Sequence, residues 1–303
     1  MSEKVPVGIV GVGLLGSAVG GVLIEAGYDV IGYDVLGERV SALAARGGRS
    51  AGSPADVARR AGPVFTVLPT LPSVEEAITG KVGILEGAGT HTVIIQMSTI
   101  SPVLAARMEE ASRARGVAFL DAPVSGTSSM VARRDCVITV GGDRAAFENC
   151  RPILDAVAKR VFHVGPAGTG SHVKLVTNLI MGLNGVVLAE GLTLARRAGL
   201  DLGQLLEILS QGAAASKILE VRGPRMVEGR FDPMMKVELF LKDIRLMLQS
   251  AQALHVPLPL TAVMEQLYTA AFAGGHASED LSVIARLYEA MAGLPAQGAK
   301  GAL

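Results

Sequence analysis

Residues 5–27, VPVGIVGVGLLGSAVGGVLIEAG, constrain the fold more than any other stretch of the chain. β-prone residues lead up to Val10, glycines recur at 11, 13 and 16, and an apolar helical pattern follows. This describes a strand that turns sharply into a helix. A strand leaving into a helix is paired in parallel with strands reached by crossovers. The first half repeats the unit. YDVIGYD, PVFTVL, TVIIQM and GVAFLDA read as strands, and GERVSALAARG, SVEEAI and PVLAARMEEASRARG read as helices. CVITVGG and RVFHVG add two strands around the helical RAAFENCRPILDAVA. The alternation predicts an α/β, doubly wound parallel sheet of Rossmann type.

The character changes after Gly165. PAGTGS reads as a loop, and a helical pattern then runs from about Ser171 to Ala198, with Gly199 suited to the position past its end. Further helices are expected at 201–211, 217–221, 236–254, 259–273 and 279–292, and the tail LPAQGAKGAL reads as flexible. The expected domains are 1–165, a dinucleotide-binding sheet domain, and 166–303, an all-helical substrate and oligomerisation domain that begins with a long inter-domain helix. A length of 303 residues is ample for two such cores.

Charge and composition narrow the partners. Lys plus Arg and Asp plus Glu both number 28, and no basic block marks a nucleic-acid surface. No uninterrupted apolar run of about 20 residues suggests a membrane span. The opening MSEKVPVGIVGVGLLG lacks the basic leader and cleavage site of a signal peptide. Two isolated cysteines, Cys136 and Cys150, fit a reducing compartment. The expectation is a cytoplasmic protein without nucleic-acid or membrane partners. The five histidines are scattered, with no metal-ligand spacing, so no metal site is expected.

The glycine turn carries chemistry. In GxGxxG the first glycine, Gly11, allows the tight turn, and the second, Gly13, admits a pyrophosphate to the backbone. The third, Gly16, lets the helix lie close to the strand. The segment Gly11, Val12, Gly13, Leu14, Leu15 and Gly16 is therefore a candidate dinucleotide site, with the helix N-terminus facing an anion. Asp34 ends the second strand, where a carboxylate accepts from adenosine ribose hydroxyls and repels a 2′-phosphate. That favours NAD over NADP. The alternatives are a bare strand–helix turn and an Asp34 that only caps the next turn.

Lys174 and Asn178 lie four residues apart in the apolar SHVKLVTNLIMG, so on a helix they share a face. A lysine half-buried among Val173, Leu175, Val176 and Leu179 would have its charged form destabilised and its pKa lowered, which suits a general acid/base. The residue types alone favour instead a lysine snorkelling to the surface.

Taken in order with VLPTLPSV, MSTISP, DAPVSG, GTGSHVKLVTN and LKDIRLML, these motifs resemble the β-hydroxyacid dehydrogenase family, which includes 3-hydroxyisobutyrate dehydrogenases and tartronate semialdehyde reductases and is related to 6-phosphogluconate dehydrogenase. The resemblance runs from about residue 5 to 292. GIVGVGLLG is similar to the family's cofactor turn, VLPTLPSV to its Leu-Pro loop and MSTISP to its nicotinamide loop. DAPVSG matches the substrate loop, GTGSHVKLVTN the catalytic helix and LKDIRLML a cofactor-contacting Lys-Asp segment.

The resemblance implies an NAD(P)-dependent oxidoreductase acting on a small anionic β-hydroxyacid or its semialdehyde. It implies that Lys174 is the acid/base, and that Ser125, Gly126, Thr127 and Asn178 bind the acid. It adds Leu68, Pro69, Ser73, Thr99 and Lys242 to the cofactor contacts, and it implies a homodimer or homotetramer. The chain departs from the family pattern at Thr127, Ser129 and Arg134, where relatives often have glycine, and at Ser73, where some NAD-linked relatives have asparagine. Arg133 and Arg134 read as part of a solvated hairpin, and Gly182 and Gly185 as marks of another backbone close to the helix. Imine reduction, or a non-catalytic NAD-binding scaffold on the same fold, are the alternatives. Lys174 counts against the first, and retention of Lys174 and Asn178 against the second.

Overall fold

A computed structural model describes residues 5–295. The tail expected to be flexible lies outside the described residues from position 296 onward. Among the described residues nine strands form one sheet: β1 (Val7–Val10), β2 (Val30–Tyr33), β3 (Arg49–Ser50), β4 (Pro63–Thr66), β5 (Val93–Gln96), β6 (Ala118–Asp121), β7 (Val124–Ser125), β8 (Val137–Gly142) and β9 (Arg160–Gly165). The helices between them are α1 (Leu14–Glu25), α2 (Gly37–Ala45), α3 (Pro54–Arg60), α4 (Leu71–Thr79), α5 (Ile84–Gly87), α6 (Pro102–Arg113), α7 (Ser128–Ala132) and α8 (Arg144–Val157). Then follow α9 (Thr169–Arg197), α10 (Leu202–Gln211), α11 (Lys217–Glu228), α12 (Val237–Ala253), α13 (Pro259–Ala271) and α14 (Ile284–Met291). A π turn at Phe272–His276 and a 3₁₀ turn at Leu281–Val283 join the last two.

The strand order is β3-β2-β1-β4-β5-β6-β8-β7, with β9 beside β8. Pairing is parallel from β3 through β6, β8 is antiparallel to β6 and β7, and β9 is parallel to β8. The central strands β1, β4, β5 and β6 are buried on both faces, as strands without polar alternation require, whereas β3 is exposed. Val7, Ile9, Phe65, Ile95 and Leu120 face one core, with Val19 and Leu23 of α1 and Phe147 and Leu154 of α8. Their neighbours Val10, Val64, Ile94 and Phe119 face the other, with Val57 of α3, Ile78 of α4 and Leu104 of α6. This is the doubly wound fold expected from the sequence.

The chain divides into two compact units between Lys174 and Leu175, within α9. In the second unit Phe240 and Tyr268, both fully buried, meet edge to face with ring centroids 5.3 Å apart. Arg222 and Asp280, also buried, form an ion pair with Nε to Oδ1 at 3.0 Å. Asp280 further accepts the N–H groups of Met234, Met235 and Ser282 and the Ser282 hydroxyl.

Several expectations are corrected here. α3 and α5 were not expected. α3 opens on Ser53, whose hydroxyl accepts from the Asp56 N–H, with a proline in its first turn. α11 runs on to Glu228 through Pro224 instead of ending at 221, because Arg222 and Met226 beyond that point are buried anchors. Residues after Gly126 form the short helix α7, capped by Thr127, and not a hairpin. Arg133 and Arg134 end it, and Arg134 has φ +58°, a left-handed conformation in which glycine would be unstrained. Gly182 admits not a backbone but a ring, since a Cβ there would lie 2.4 Å from Phe240 Cζ. Gly185 meets no close neighbour, its nearest being Tyr268 Oη at 3.8 Å from a Cβ. α9 is long and apolar enough by composition to cross a membrane, although polar residues interrupt it.

Candidate active site

The glycine turn is built by exclusion. Gly11 has φ +95°, and a Cβ there would lie 2.2 Å from the Val67 carbonyl oxygen. A Cβ on Gly16 would lie 1.9 Å from the Gly11 carbonyl oxygen, so the first turn of α1 rests on the turn itself. Gly13 differs. The nearest atom to a Cβ there is Arg39 Nη1 at 3.8 Å, so the protein's own packing does not require glycine. What the missing Cβ leaves is open approach to the backbone. α1 begins without a side-chain cap, and the N–H groups of its first turn have no intrahelical acceptors. These features fit a pyrophosphate held at Gly11–Gly16.

Asp34 follows β2 directly. Its Oδ2 accepts from the Val12 N–H at 2.8 Å and its Oδ1 from the Leu36 N–H at 2.9 Å, while Arg39 Nη1 lies 3.4 Å away. The carboxylate thus fastens the end of β2 to the glycine turn and also caps the turn that follows.

The loops after β4 and β5 are tied together, with the Leu68 N–H donating to the buried Ser98 hydroxyl at 2.8 Å. Leu68 and Thr99 are half-buried and Pro69 is exposed. The Ser73 hydroxyl belongs to a capping box at the start of α4: it accepts the Thr70 N–H and donates to the Thr70 carbonyl.

Ser125 ends β7 opposite Val137. Gly126 has φ +153°, and a Cβ would press on Cys136 Cβ at 2.8 Å. Thr127 Oγ1 accepts the Met130 N–H at 3.3 Å and lies 2.8 Å from Ser129 Oγ. The hydroxyl that replaces a loop glycine therefore caps α7.

Lys174 is half-buried and Asn178 buried on α9. Of the four apolar residues expected to desolvate the lysine, Leu175 is buried and Leu179 half-buried, whereas Val173 and Val176 are exposed. Helical neighbours one and two positions away point elsewhere. Asn178 Nδ2 donates to Asp243 Oδ2 at 2.9 Å, and Asp243 Oδ1 lies 3.1 Å from Lys242 Nζ. The second unit thus brings Asn178, Lys242 and Asp243 together. The orienting role of Asp243, 65 residues from Asn178, has no local signal in the sequence.

Other polar and titratable side chains are engaged within the structure. Glu190 accepts the Tyr288 hydroxyl, and burial, then Glu190 itself, pushes that phenol up to about 12. His163 Nε2 lies 2.8 Å from the Gly142 carbonyl, and its ring meets Phe147. Both cysteines are free and buried, and burial raises each thiol to about 11. Among the described residues no three His, Cys, Asp or Glu side chains cluster as a metal site.

Known proteins match most of the chain. The NAD binding domain of 6-phosphogluconate dehydrogenase matches residues 6–165. The NAD-binding domain of NADP-dependent 3-hydroxyisobutyrate dehydrogenase matches 168–288. The chain is 33% identical to 2-hydroxy-3-oxopropionate reductase of Escherichia coli K12, covering 94% of this chain and 97% of that one. It is 31% identical to 2-(hydroxymethyl)glutarate dehydrogenase of Eubacterium barkeri, covering 98% and 99%. The crystal structure of 3-hydroxyisobutyrate dehydrogenase from Salmonella typhimurium superposes with a TM-score of 0.85 at 30% identity, covering 94% of this chain and 100% of that one. By these matches the chain belongs to the β-hydroxyacid dehydrogenase family of NAD(P)-dependent oxidoreductases.

Proposed function

We propose that the protein is an NAD-preferring, cytoplasmic enzyme that interconverts a short β-hydroxyacid and its semialdehyde, with Lys174 as the general acid/base. The observation that carries this reading is the fixed amide of Asn178. Asp243, a carboxylate, only accepts, so it takes the amide nitrogen and directs Oδ1 elsewhere as an acceptor. An acceptor one helical turn from Lys174 suits a lysine that delivers and removes a proton at the substrate oxygen. The nicotinamide, when bound, accepts or donates the hydride. Gly11 to Gly16 and Asp34 hold the dinucleotide, joined by Leu68, Pro69, Thr99 and Lys242. Ser125, Gly126 and Thr127 hold the acid. Ser73 is the weakest of the proposed cofactor contacts, because its hydroxyl already serves the α4 cap.

Asp34 supports NAD, since its backbone-anchored carboxylate would repel a 2′-phosphate. A homodimer or homotetramer is supported by the exposed apolar side chains Val176, Ile180, Val187 and Leu194 at helical spacing on α9, and by Leu260 and Val263 on α13. The activities of the relatives, on 2-hydroxy-3-oxopropionate among others, set the substrate class to be tried. A panel of short hydroxyacids and semialdehydes, read by NADH absorbance, tests the proposal. Turnover of at least one short β-hydroxyacid is expected, and no turnover of any member with either NAD or NADP would refute it.

A further inference from the structure

Asp121 ends β6, four residues before Ser125, and is fully buried. Its Oδ2 accepts the N–H groups of Ser171 at 2.7 Å and Gly168 at 3.1 Å, and its Oδ1 accepts the Ser171 hydroxyl at 2.7 Å. Ser171 is buried as well and stands in the first turn of α9, three residues before Lys174. The main chain reinforces the hold. A Cβ on Gly170 would lie 2.2 Å from the Asp121 carbonyl oxygen and 2.9 Å from that of Thr139, so this turn rests directly on β6 and β8. One carboxyl group therefore fastens the start of the lysine helix to the strand that feeds the substrate loop. Everything named here lies within the first compact unit.

We propose that Asp121 is a positioning residue for Lys174, holding the first turn of α9 in register with the Ser125 loop so that proton donor and acid-binding groups keep a fixed geometry. This rests on the function proposed above. Burial pushes the Asp121 carboxyl up, against the hydrogen bonds from Ser171 and Gly168. Fixing the turn needs an acceptor for two N–H groups and a partner for the Ser171 hydroxyl. Asparagine can supply them, with Oδ1 accepting both N–H groups and Nδ2 donating to the rotatable Ser171 hydroxyl. Alanine leaves all three donors unpaired.

The test compares Asp121→Ala, Asp121→Asn and Ser171→Ala in the full-length protein. Three readouts are needed: steady-state kinetics on a hydroxyacid that the wild type turns over, NADH titration by fluorescence, and hydrogen exchange of the peptide spanning residues 166–178. Asp121→Ala is expected to lower kcat about 100-fold, as misplacement of a catalytic group by about 1 Å does. NADH affinity should stay within about twofold, and exchange in the first turn of α9 should rise. Asp121→Asn should recover kcat to within about fivefold of wild type and restore protection, and Ser171→Ala should fall between the two. Wild-type kcat in Asp121→Ala would overturn the proposal, as would equal losses in the Asn and Ala variants. Should Asp121→Ala fail to fold, Ser171→Ala decides, and wild-type kcat and exchange there refute the positioning role. A wild type inactive on every hydroxyacid would defeat the functional reading, whereas the exchange pattern would still show whether Asp121 holds the helix.

Discussion

Alanine is a better helix former than glycine by about 1 kcal/mol, so Gly182→Ala in the middle of α9 would ordinarily stabilise the helix. The packing predicts the opposite. The new Cβ would lie 2.4 Å from Phe240 Cζ, 2.8 Å from Phe240 Cε1 and 2.8 Å from Met264 Sδ. Phe240 cannot swing aside, because it is fully buried with its ring edge to face with Tyr268. Tyr268 is itself fully buried, with its hydroxyl bonded to the Leu281 carbonyl. Overpacking of this kind costs about 1–3 kcal/mol, and contacts this short belong to the upper part of that range, so a net loss of about 1–2 kcal/mol is expected. Gly185→Ala is the control. Its nearest neighbours would be Tyr268 Oη at 3.8 Å and Ile218 Cγ2 at 4.0 Å, which leaves the helical gain uncancelled. The clash also has a functional consequence. Gly182 lies one turn after Asn178, and Phe240 three residues before Asp243, so displacing α12 from α9 strains the Asn178–Asp243 bond. Gly182→Ala should therefore raise KM for the acid. Urea unfolding of the three proteins, with kinetics alongside, tests this. A Gly182→Ala protein as stable as Gly185→Ala would refute the packing argument.

Burial pushes the Asp280 carboxyl up, but Arg222 and the surrounding hydrogen bonds outweigh it and hold the group below its ordinary value of 3.8. A carboxylate depressed in the folded state stabilises above the unfolded value and loses that contribution as pH falls through the folded one. Arg222→Met should cost about 3 kcal/mol at pH 7 by leaving a buried carboxylate without its cation, and the deficit should shrink below about pH 4. Urea midpoints that differ equally at pH 7 and pH 3.5 would contradict it. For Asp34→Asn, kcat/KM with NAD should fall relative to NADP, since an amide satisfies only one of the Val12 and Leu36 N–H groups and removes the charge. A wild type that prefers NADP by tenfold, about 1.4 kcal/mol, would defeat the cofactor reading. Val187→Glu should weaken self-association seen by light scattering, and a wild type that is monomeric at micromolar concentration would remove the oligomer proposal.

The β1 turn, Asp34 and the long helix were legible because each is a local pattern of period, glycine spacing or strand end. Gly199, expected past the end of α9, has φ +76°. α3 was missed although its signal is local: Ser53 before Pro54 is a cap followed by a helix-starting proline. α7, five residues long, is too short to show a period. Local propensity is against helix at Pro224, just beyond the stop expected at 221, and long-range burial of Arg222 against Asp280 overrides it. The bonds that orient the candidate site, Asn178 to Asp243 and Asp121 to Ser171, join residues 65 and 50 positions apart. No window of sequence contains both ends of either bond.

The proposed role of Lys174 in proton transfer is tested most directly by the pH profile and kcat of Lys174→Ala beside wild type on an active hydroxyacid. A fall in kcat of about 10²–10⁴-fold, the range of general acid–base catalysis, and loss of one ionisation from the profile are expected. NADH titration should be close to wild type, because the dinucleotide contacts are proposed at Gly11 to Gly16 and Asp34. Near-normal kcat with normal NADH binding in Lys174→Ala would contradict the mechanism.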